Sequence, residues 1–328
     1  MVESLGEITL KSGERVSAAA IRGPDDAWRP RLTRLLGHKG DPWHWQNTEL
    51  LIHHTGVEAW FYVLHRAGAP FAHIMTAEVS GVGIFGHVWT KPADRGQGAA
   101  GQLMERQMEH FHARSGRALF LSTSPDNPAF ALYARHGFAA VEPQSGAMTL
   151  TIQGHDAFEA DYFATGEAHV EPLGWPHWPT APALFMAGIP GNVRCAPLGL
   201  FGRKSSEGAL LPWIQQAAAG QVFVAVKPNG AVVGLAAWDR DPLSAGCIRV
   251  DVFCHPNFWS QAAPLLAAAL AHAPRSRRVA YADSDCPDKQ AALLAAGFKV
   301  AATWPRRLAA DAAATRFADL VMLEHGAE

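Results

Sequence analysis

Apolar residues recur along the chain first with extended and then with helical spacing. Two apolar runs, residues 60–65 and 71–75, flank the turn Ala67-Gly68-Ala69 and predict a β-hairpin. Residues 103–111 then place apolar side chains at helical spacing, with charged residues and His110 on the opposite face. Strands that alternate with amphipathic helices predict a mixed α/β fold.

The same pattern returns in the second half of the chain. Residues 222–226 and 232–236 flank a Pro-Asn-Gly turn, so that Gly230 stands 162 positions after Gly68. A strand over 248–254, a helix over 261–273 and a strand over 279–282 follow. A repeat of this length predicts two similar domains. We assign them to residues 1–152 and 184–328, with an ordered aromatic and proline-rich bridge at 153–183.

A glycine-containing loop, residues 95–100, lies between the strand that ends near Pro92 and the amphipathic helix. Backbone N–H groups at a helix N-terminus converge on one point, and the glycines leave that point accessible. An arginine at the start of the loop adds a full positive charge. The loop is therefore a candidate phosphate or pyrophosphate site, although a simple chain-reversing turn would have a similar sequence.

Two ordered motifs resemble the GNAT superfamily of acyl-CoA-dependent N-acetyltransferases. Val88 and Pro92 precede the pattern R-x-x-G-x-A at residues 95–100. Residues 127–138, with Asn127, Tyr133 and a terminal Gly-Phe pair, resemble the N-x-x-A…Y-x-x-x-G-F helix of the family. The resemblance implies two mixed-sheet α/β (α+β) domains in tandem, each with helices on both faces of a strongly twisted sheet. It also implies that the fourth strand splays from the fifth and admits the pantetheine arm of acetyl-CoA.

The resemblance implies a set of site residues in the first domain. Tyr133 is implied as the acid that protonates the departing thiolate, and the base is less defined because residues 82–91 contain no carboxylate. His87 is our candidate base, with Glu78 as the alternative. The residues implied to bind acetyl-CoA are Val88, Trp89, Thr90, Arg95, Gly96, Gln97, Gly98, Ala99, Ala100, Asn127 and Tyr133.

The second copy lacks the features that bind the cofactor. Aligning Pro256 with Pro92 puts Trp259 opposite Arg95 and Pro264 opposite Ala100. A proline has no N–H to donate. Aligning the Gly-Phe pairs puts Leu293 opposite Tyr133. We therefore expect a degenerate second domain.

A competing dinucleotide motif, G-x-G-x-x-G, occurs at residues 81–86. That motif requires a helix to begin at its end. Here strand-forming residues follow and close at Pro92. We read Gly83 and Gly86 as positions of close backbone approach or a bulge in a strand.

The composition of the chain limits the classes of molecule that it is expected to bind. The formal net charge of the 328 residues is −2, without a basic run, which argues against nucleic acid and anionic membranes as partners. The N-terminus lacks the pattern of a signal peptide, and we expect a cytoplasmic protein. Neither the four cysteines nor the sixteen histidines have metal-ligand spacing, so we expect no metal.

Two function classes follow. The first is transfer of an acetyl group from acetyl-CoA to a primary amine, by direct attack in a ternary complex. The second is a non-catalytic CoA-binding regulatory protein with the same fold. Glu49 and Glu78 hint at a cationic or amphipathic small-molecule acceptor, while oxygen or protein acceptors and a homodimer stay open.

Overall fold

Two large mixed sheets, with helices on both sides, organise the chain. The structure, a computed structural model, describes residues 1–216, 220–242 and 244–326, so the six remaining positions of the predicted second domain lie outside it. The chain divides into two compact units: residues 1–121, 126–139 and 149–153 form the first, and residues 122–125, 140–148 and 154–328 the second.

The described elements include the hairpins, strands and helices that the hydrophobic pattern predicts, together with others. The strands are β1 Val2–Thr9, β2 Arg15–Arg22, β3 Glu58–Arg66, β4 Ala69–Val79, β5 Val82–Thr90, β6 Ala118–Ser122, β7 Ala139–Ala140, β8 Ala147–Thr151, β9 His169–Pro172, β10 Val193–Cys195, β11 Leu200–Phe201, β12 Val222–Val226, β13 Val232–Arg240, β14 Cys247–Cys254, β15 Arg277–Asp283, β16 Lys299–Ala309 and β17 Phe317–His325. The helices are α1 Arg29–Leu36, α2 Trp43–Ile52, α3 Ala99–Ala113, α4 Pro128–Arg135, α5 His155–Tyr162, α6 Ala181–Met186, α7 Glu207–Gln215, α8 Ala262–His272 and α9 Pro287–Ala295.

The first sheet has the strand order β1-β2-β3-β4-β5-β6-β8-β7. The predicted hairpin is β3 and β4, which pair antiparallel, and β4 pairs antiparallel with β5. β5 and β6 are parallel and pair over only three residues of each strand, residues 82–84 with 118–120. Beyond Ile84 the two strands separate, which opens a split in the sheet.

The second sheet has the order β16-β17-β15-β14-β13-β12-β9. The second predicted hairpin is β12 and β13. β14 and β15 are again parallel and pair over three residues of each strand, residues 247–249 with 277–279. Both sheets therefore contain the same split, which is the architecture expected from the sequence repeat.

The segment predicted as an ordered bridge, residues 153–183, contains α5, β9 and the start of α6. β9 pairs antiparallel with β12, and residues 154–183 cluster with the second unit. Burial explains why this segment is ordered. Tyr162 and Trp178 are fully buried, and burial of apolar surface offsets the conformational entropy that the chain loses.

The glycines of the G-x-G-x-x-G segment lie in a turn and in β5. Gly83 lies inside β5, where an added Cβ would approach the backbone oxygen of Ala77 to 1.9 Å. The G-x-G-x-x-G segment is therefore a turn and a closely packed strand, with no helix at its end.

None of the helices in the described part of the chain combines the length and apolar character that a membrane span requires.

Candidate functional site

A cavity of about 970 Å³ lies where β5 has separated from β6. Its walls come from the last residues of β5, from the loop and first turn of α3, and from α4. The lining residues are Lys11, Val88, Trp89, Thr90, Asp94, Arg95, Gly96, Gly98, Ala99, Ala100, Gly101, Gln102, Glu105, Pro128, Ala129, Leu132, Arg135 and His136. The size is that of a site for a large organic ligand.

The loop before α3 has the backbone of an anion site. Gly96 and Gly98 have φ values of +78° and +79°, which side-chain-bearing residues rarely adopt. Gly98 is the N-cap residue of α3, and no side chain caps the helix there. The first intrahelical bond is donated by the Gln102 N–H to the Gly98 carbonyl, so the N–H groups before Gln102 have no partner within the helix. These groups carry the positive end of the helix dipole toward the cavity.

Three basic side chains, Lys11, Arg95 and Arg135, add full charges to this cavity. The Arg95 side chain donates to the Thr90 carbonyl at 3.1 Å, which holds it against the end of β5. Lys11 comes from the turn between β1 and β2, and its N–H donates to the Gln97 carbonyl at 3.1 Å. The turn between β1 and β2 thus holds the loop before α3 through this hydrogen bond. This combination suits a doubly charged pyrophosphate.

A β-bulge interrupts β5 directly before the cavity. Met75 of β4 pairs with Gly86 and His73 pairs with Trp89, so His87 and Val88 together face Ile74. His87 has a φ of +55°. A bulge removes one residue from the hydrogen-bond ladder and can re-aim its backbone groups. The bulge lies within the stretch from His87 to Trp89, where the family resemblance implies an N–H donor for an oxyanion.

His73 holds this bulge from the neighbouring strand. Its Nδ1 bonds the His87 carbonyl at 3.0 Å, and since a carbonyl only accepts, Nδ1 carries the proton. Burial lowers the pKa of His73 to about 4, so the ring is neutral at pH 7. Its Nε2 is then an acceptor, and it is buried without a partner among the described residues.

His87 is held by α2. Its Nε2 lies 2.8 Å from Oε1 of Gln46, and this amide oxygen can only accept. Nδ1 of a neutral His87 ring is therefore the basic nitrogen. Burial, followed by the charge of Lys39, lowers the pKa of His87 well below its ordinary value. Neutral His87 is in the protonation state that a general base requires at pH 7.

The two neutral histidines predict a pH-dependent stability. Histidine in an unfolded chain titrates near about 6.5, so the unfolded chain binds more protons than the folded one as the pH falls from there to about 4. Stability present above pH 6.5 is thus lost on acidification. We expect the unfolding free energy measured in urea to fall between pH 7 and pH 5, with His73 contributing about 2 kcal/mol of the loss.

The matched variant for this measurement is His73→Asn. Asparagine keeps an N–H donor for the His87 carbonyl but does not titrate. We expect the variant to lose less stability than the unmodified protein over this pH interval. Equal losses in the two proteins would contradict the assignment of a buried, neutral His73.

Tyr133 and Asn127 both belong to α4. The Asn127 Oδ1 accepts from the Ala129 N–H at 3.0 Å and caps the helix. Tyr133 is 8% exposed and contacts Phe85, with ring centroids 5.5 Å apart. Burial raises its pKa to about 12, which keeps the phenol neutral. Leu132 and His136, its neighbours on the helix, line the cavity, while Tyr133 itself packs behind them.

Glu78 lies away from this cavity, near the opposite end of β5. It pairs with Gly83, whereas the bulge faces Ile74, four residues away or roughly 13 Å along the strand. Its carboxylate accepts from Thr76 at 2.6 Å and from Arg114 at 2.9 Å. Val88, the residue after His87 in the bulge, lines the cavity, whereas neither His87 nor Glu78 does.

Most of the residues implied to bind the cofactor line this cavity, whereas Gln97, Asn127 and Tyr133 do not. Sequence reasoning missed His73, Gln46 and Lys11. His73 stands in an apolar strand, where a histidine gives no local signal of function, and Lys11 is remote in sequence from the loop it supports. In the part of the chain that the structure describes, no cluster of three or more His, Cys, Asp or Glu could hold a metal ion.

Comparison with known proteins identifies the region that carries the cavity. Residues 58–140 match the family model described as the acetyltransferase (GNAT) domain. This stretch runs from β3 to β7 and includes the loop before α3. The chain matches no curated protein.

Several solved structures are similar to about half of the chain. The GNAT domain of S. lividans PAT is 13% identical with a TM-score of 0.36, over 45% of this chain and 96% of that one. The yncA protein from Salmonella typhimurium, solved with its cofactor acetyl-CoA, is 16% identical with a TM-score of 0.39, over 50% and 95%. A GNAT superfamily phosphinothricin acetyltransferase from Sinorhizobium meliloti, in complex with AcCoA, is 13% identical with a TM-score of 0.38, over 48% and 87%.

Proposed function

We propose that this chain, whose residues 58–140 match the model of the acetyltransferase (GNAT) domain, is an acyltransferase that transfers an acetyl group from acetyl-CoA to a primary amine of a small molecule. The observation that carries the proposal is the cavity at the split between β5 and β6, which joins an anion-binding loop to a bulged strand. The pyrophosphate binds the loop before α3. The pantetheine arm lies along residues 88–90, which places the thioester near the bulge.

The reaction is a direct attack in a ternary complex. The amine nitrogen forms a bond to the thioester carbonyl carbon while a backbone N–H of the bulge stabilises the oxyanion. The C–S bond then breaks, and the electron pair leaves with sulfur. Nδ1 of His87 accepts the proton that the amine loses, directly or through water, and the Tyr133 hydroxyl protonates the thiolate. Glu78 has no role in this scheme, because Arg114 and Thr76 already hold its carboxylate.

The activity is testable with acetyl-CoA, a panel of primary amines and a thiol-detecting reagent. We expect thiol release that depends on both substrates. A protein that binds acetyl-CoA but acetylates no amine in the panel would contradict the proposed acceptor class and favour the alternative of a CoA-binding regulatory protein.

We further propose that the second unit is a degenerate copy that binds no acyl-CoA, because its own chain fills the equivalent split. The segment 192–196, which contains β10, lies against β14, β15 and α9. Asp283 of β15 accepts from the N–H groups of Asn192 and Val193 at 2.8 and 2.7 Å. Asp251 of β14 accepts from the Ala196 N–H at 2.7 Å.

Lys289 of α9 completes the closure of this split. Its Nζ donates to the Val193 carbonyl at 2.7 Å and pairs with Asp251 at 2.5 Å. All three groups are buried. Leu293 on the same helix is fully buried, and Pro264 stands in the first turn of α8. These contacts hold segment 192–196 in the place that a pantetheine arm would need in the second split.

Calorimetric titration of the full-length protein with acetyl-CoA is expected to give a stoichiometry of one per chain. The physical reason is that segment 192–196 occupies the second split, whereas the first split opens on the loop before α3. A stoichiometry of two would contradict the proposal for the second unit and leave the proposal for the first intact.

A further inference from the structure

A second cavity, of about 500 Å³, is lined by basic residues. It adjoins the 970 Å³ cavity beside β5 and the loop before α3, which we call the cofactor cavity. Arg31 and Arg34 of α1 line it together with Lys91 and Trp89, opposite the turn of residues 67–70. Trp89 also lines the cofactor cavity. We call this space the basic cavity. No acidic side chain lines it.

The charges of the basic cavity have no compensating carboxylate. Among the described residues neither Arg34 nor Lys91 has an ion-pair partner, and both are exposed. The Arg31 guanidinium donates to the Gly68 carbonyl at 3.3 Å and lies 5.1 Å from the Trp28 ring, so it is fixed without losing its charge. Three cations around one concave space attract an anionic group and leave it specific donors.

The histidines of this region report the same positive surroundings. Burial is the first cause that lowers each of their pKa values, and nearby positive groups lower them further. Arg31 lowers the pKa of His65, and Lys39 and Arg95 lower the pKa of His38. Lys39 and His38 lower the pKa values of both His73 and His87. No carboxylate acts on any of the four in the opposite direction. The charged groups that act on these four rings are therefore positive.

The two carboxylates that suggested a cationic acceptor lie elsewhere or are already paired. Glu78 is bound by Arg114 and Thr76 near the opposite end of β5. The Glu49 carboxylate lies 3.8 Å from Nε2 of His53, the residue that follows α2. Neither residue lines the basic cavity or the cofactor cavity.

We propose that the basic cavity binds an anionic group, a carboxylate or a phosphate, of the acceptor amine. The inference rests on the proposed function and names its substrate class. The acceptor places its anion between Arg34 and Lys91 and directs its amine past Trp89 to the bulge. Lys91 follows Val88 by three residues, or roughly 10 Å along the strand. The acceptor is therefore an amine whose nitrogen and anion are separated by a short flexible chain.

The test compares matched amines with the full-length enzyme. Each pair has the same chain length and differs in one terminal group: an ω-amino acid or an ω-aminoalkyl phosphate against the corresponding aminoalkane. We expect kcat/KM to favour one anionic member of a pair by roughly tenfold or more. The carboxylate and phosphate series distinguish the two sources of the anion. Equal kcat/KM values throughout would overturn the inference while supporting the proposed function.

A charge-reversal variant locates the effect. Arg34→Glu combined with Lys91→Glu is expected to remove the preference for the anionic amine, with the neutral amine and the KM of acetyl-CoA changed by less than about twofold. Arg29→Glu is the matched control, because Arg29 lies on the same helix, pairs with Asp26 and does not line the cavity. A variant that keeps the preference, or that raises the KM of acetyl-CoA instead, would overturn the inference.

Binding provides a readout that does not require turnover. Calorimetric titration of the protein saturated with CoA uses the N-acetylated ω-amino acid and its phosphate analogue as ligands. We expect at least one to bind, and to bind roughly tenfold more weakly to the double variant. If no amine is acetylated, the proposed function fails, and this titration still decides the inference. Absent or unchanged binding would overturn it.

Discussion

Replacing Gly98 by aspartate is expected to abolish the binding of acetyl-CoA. The new side chain would stand at the first turn of α3, where free N–H groups and Arg95 attract an anion. Its carboxylate would bond these donors from within the chain and repel the pyrophosphate. An added Cβ meets no atom closer than 3.6 Å, and aspartate tolerates the φ of +79° better than most residues. The fold is therefore expected to persist.

The matched control is Gly98→Asn, which has nearly the same volume and backbone tolerance but no charge. Isothermal titration of both variants with acetyl-CoA separates volume from charge. We expect measurable binding for Gly98→Asn, weaker than for the unmodified protein, and none for Gly98→Asp. Unchanged affinity in Gly98→Asp would remove the loop from the cofactor site.

Replacing Tyr133 by phenylalanine is expected to lower kcat by a factor on the order of 10². The phenol is the proposed donor to the departing thiolate, and its pKa of about 12 keeps it protonated at neutral pH. Phenylalanine retains the ring contacts with Phe85 and Phe138, so the fold of α4 and the affinity for acetyl-CoA should change little. The effect should thus fall on kcat and spare cofactor binding.

Tyr62→Phe is the control for loss of a buried hydroxyl. Tyr62 is fully buried, and its hydroxyl lies 3.0 Å from Nδ1 of His110, away from the cofactor cavity. Steady-state kinetics of the two variants should show a loss of kcat in Tyr133→Phe alone. Turnover of Tyr133→Phe within twofold of the unmodified enzyme would make Tyr133 a core residue, which its position behind Leu132 and His136 also permits.

Local features of the first unit could be predicted from the sequence because local rules govern them. The β3–β4 hairpin follows from alternation around a turn, and α3 follows from helical spacing after a glycine loop. Gly96 and Gly98 adopt left-handed backbone conformations, which glycine adopts without the steric cost that a side chain would bring. The repeat likewise predicted the second hairpin and the strand and helix that follow it.

Contacts between distant segments could not be predicted in this way. The bonds of His73 to the bulge and of His87 to Gln46 join α2, β4 and β5, and no local pattern encodes which faces meet. The position of Glu78 depends on strand register, because four residues along β4 separate it from the position opposite the bulge. Register is a property of the assembled sheet.

The sequence by itself predicted the two hairpins, α3 after its glycine-containing loop, and the return of these elements in the second half of the chain. Those features depend on residue type and spacing, which act within a few residues of the chain. Only the tertiary structure decided what the two splits contain: a cavity in the first sheet and residues 192–196 in the second. It also decided the positive charge beside Trp89, because Arg31 and Arg34 belong to α1 whereas Lys91 follows β5, and their fields add only after folding brings these segments together.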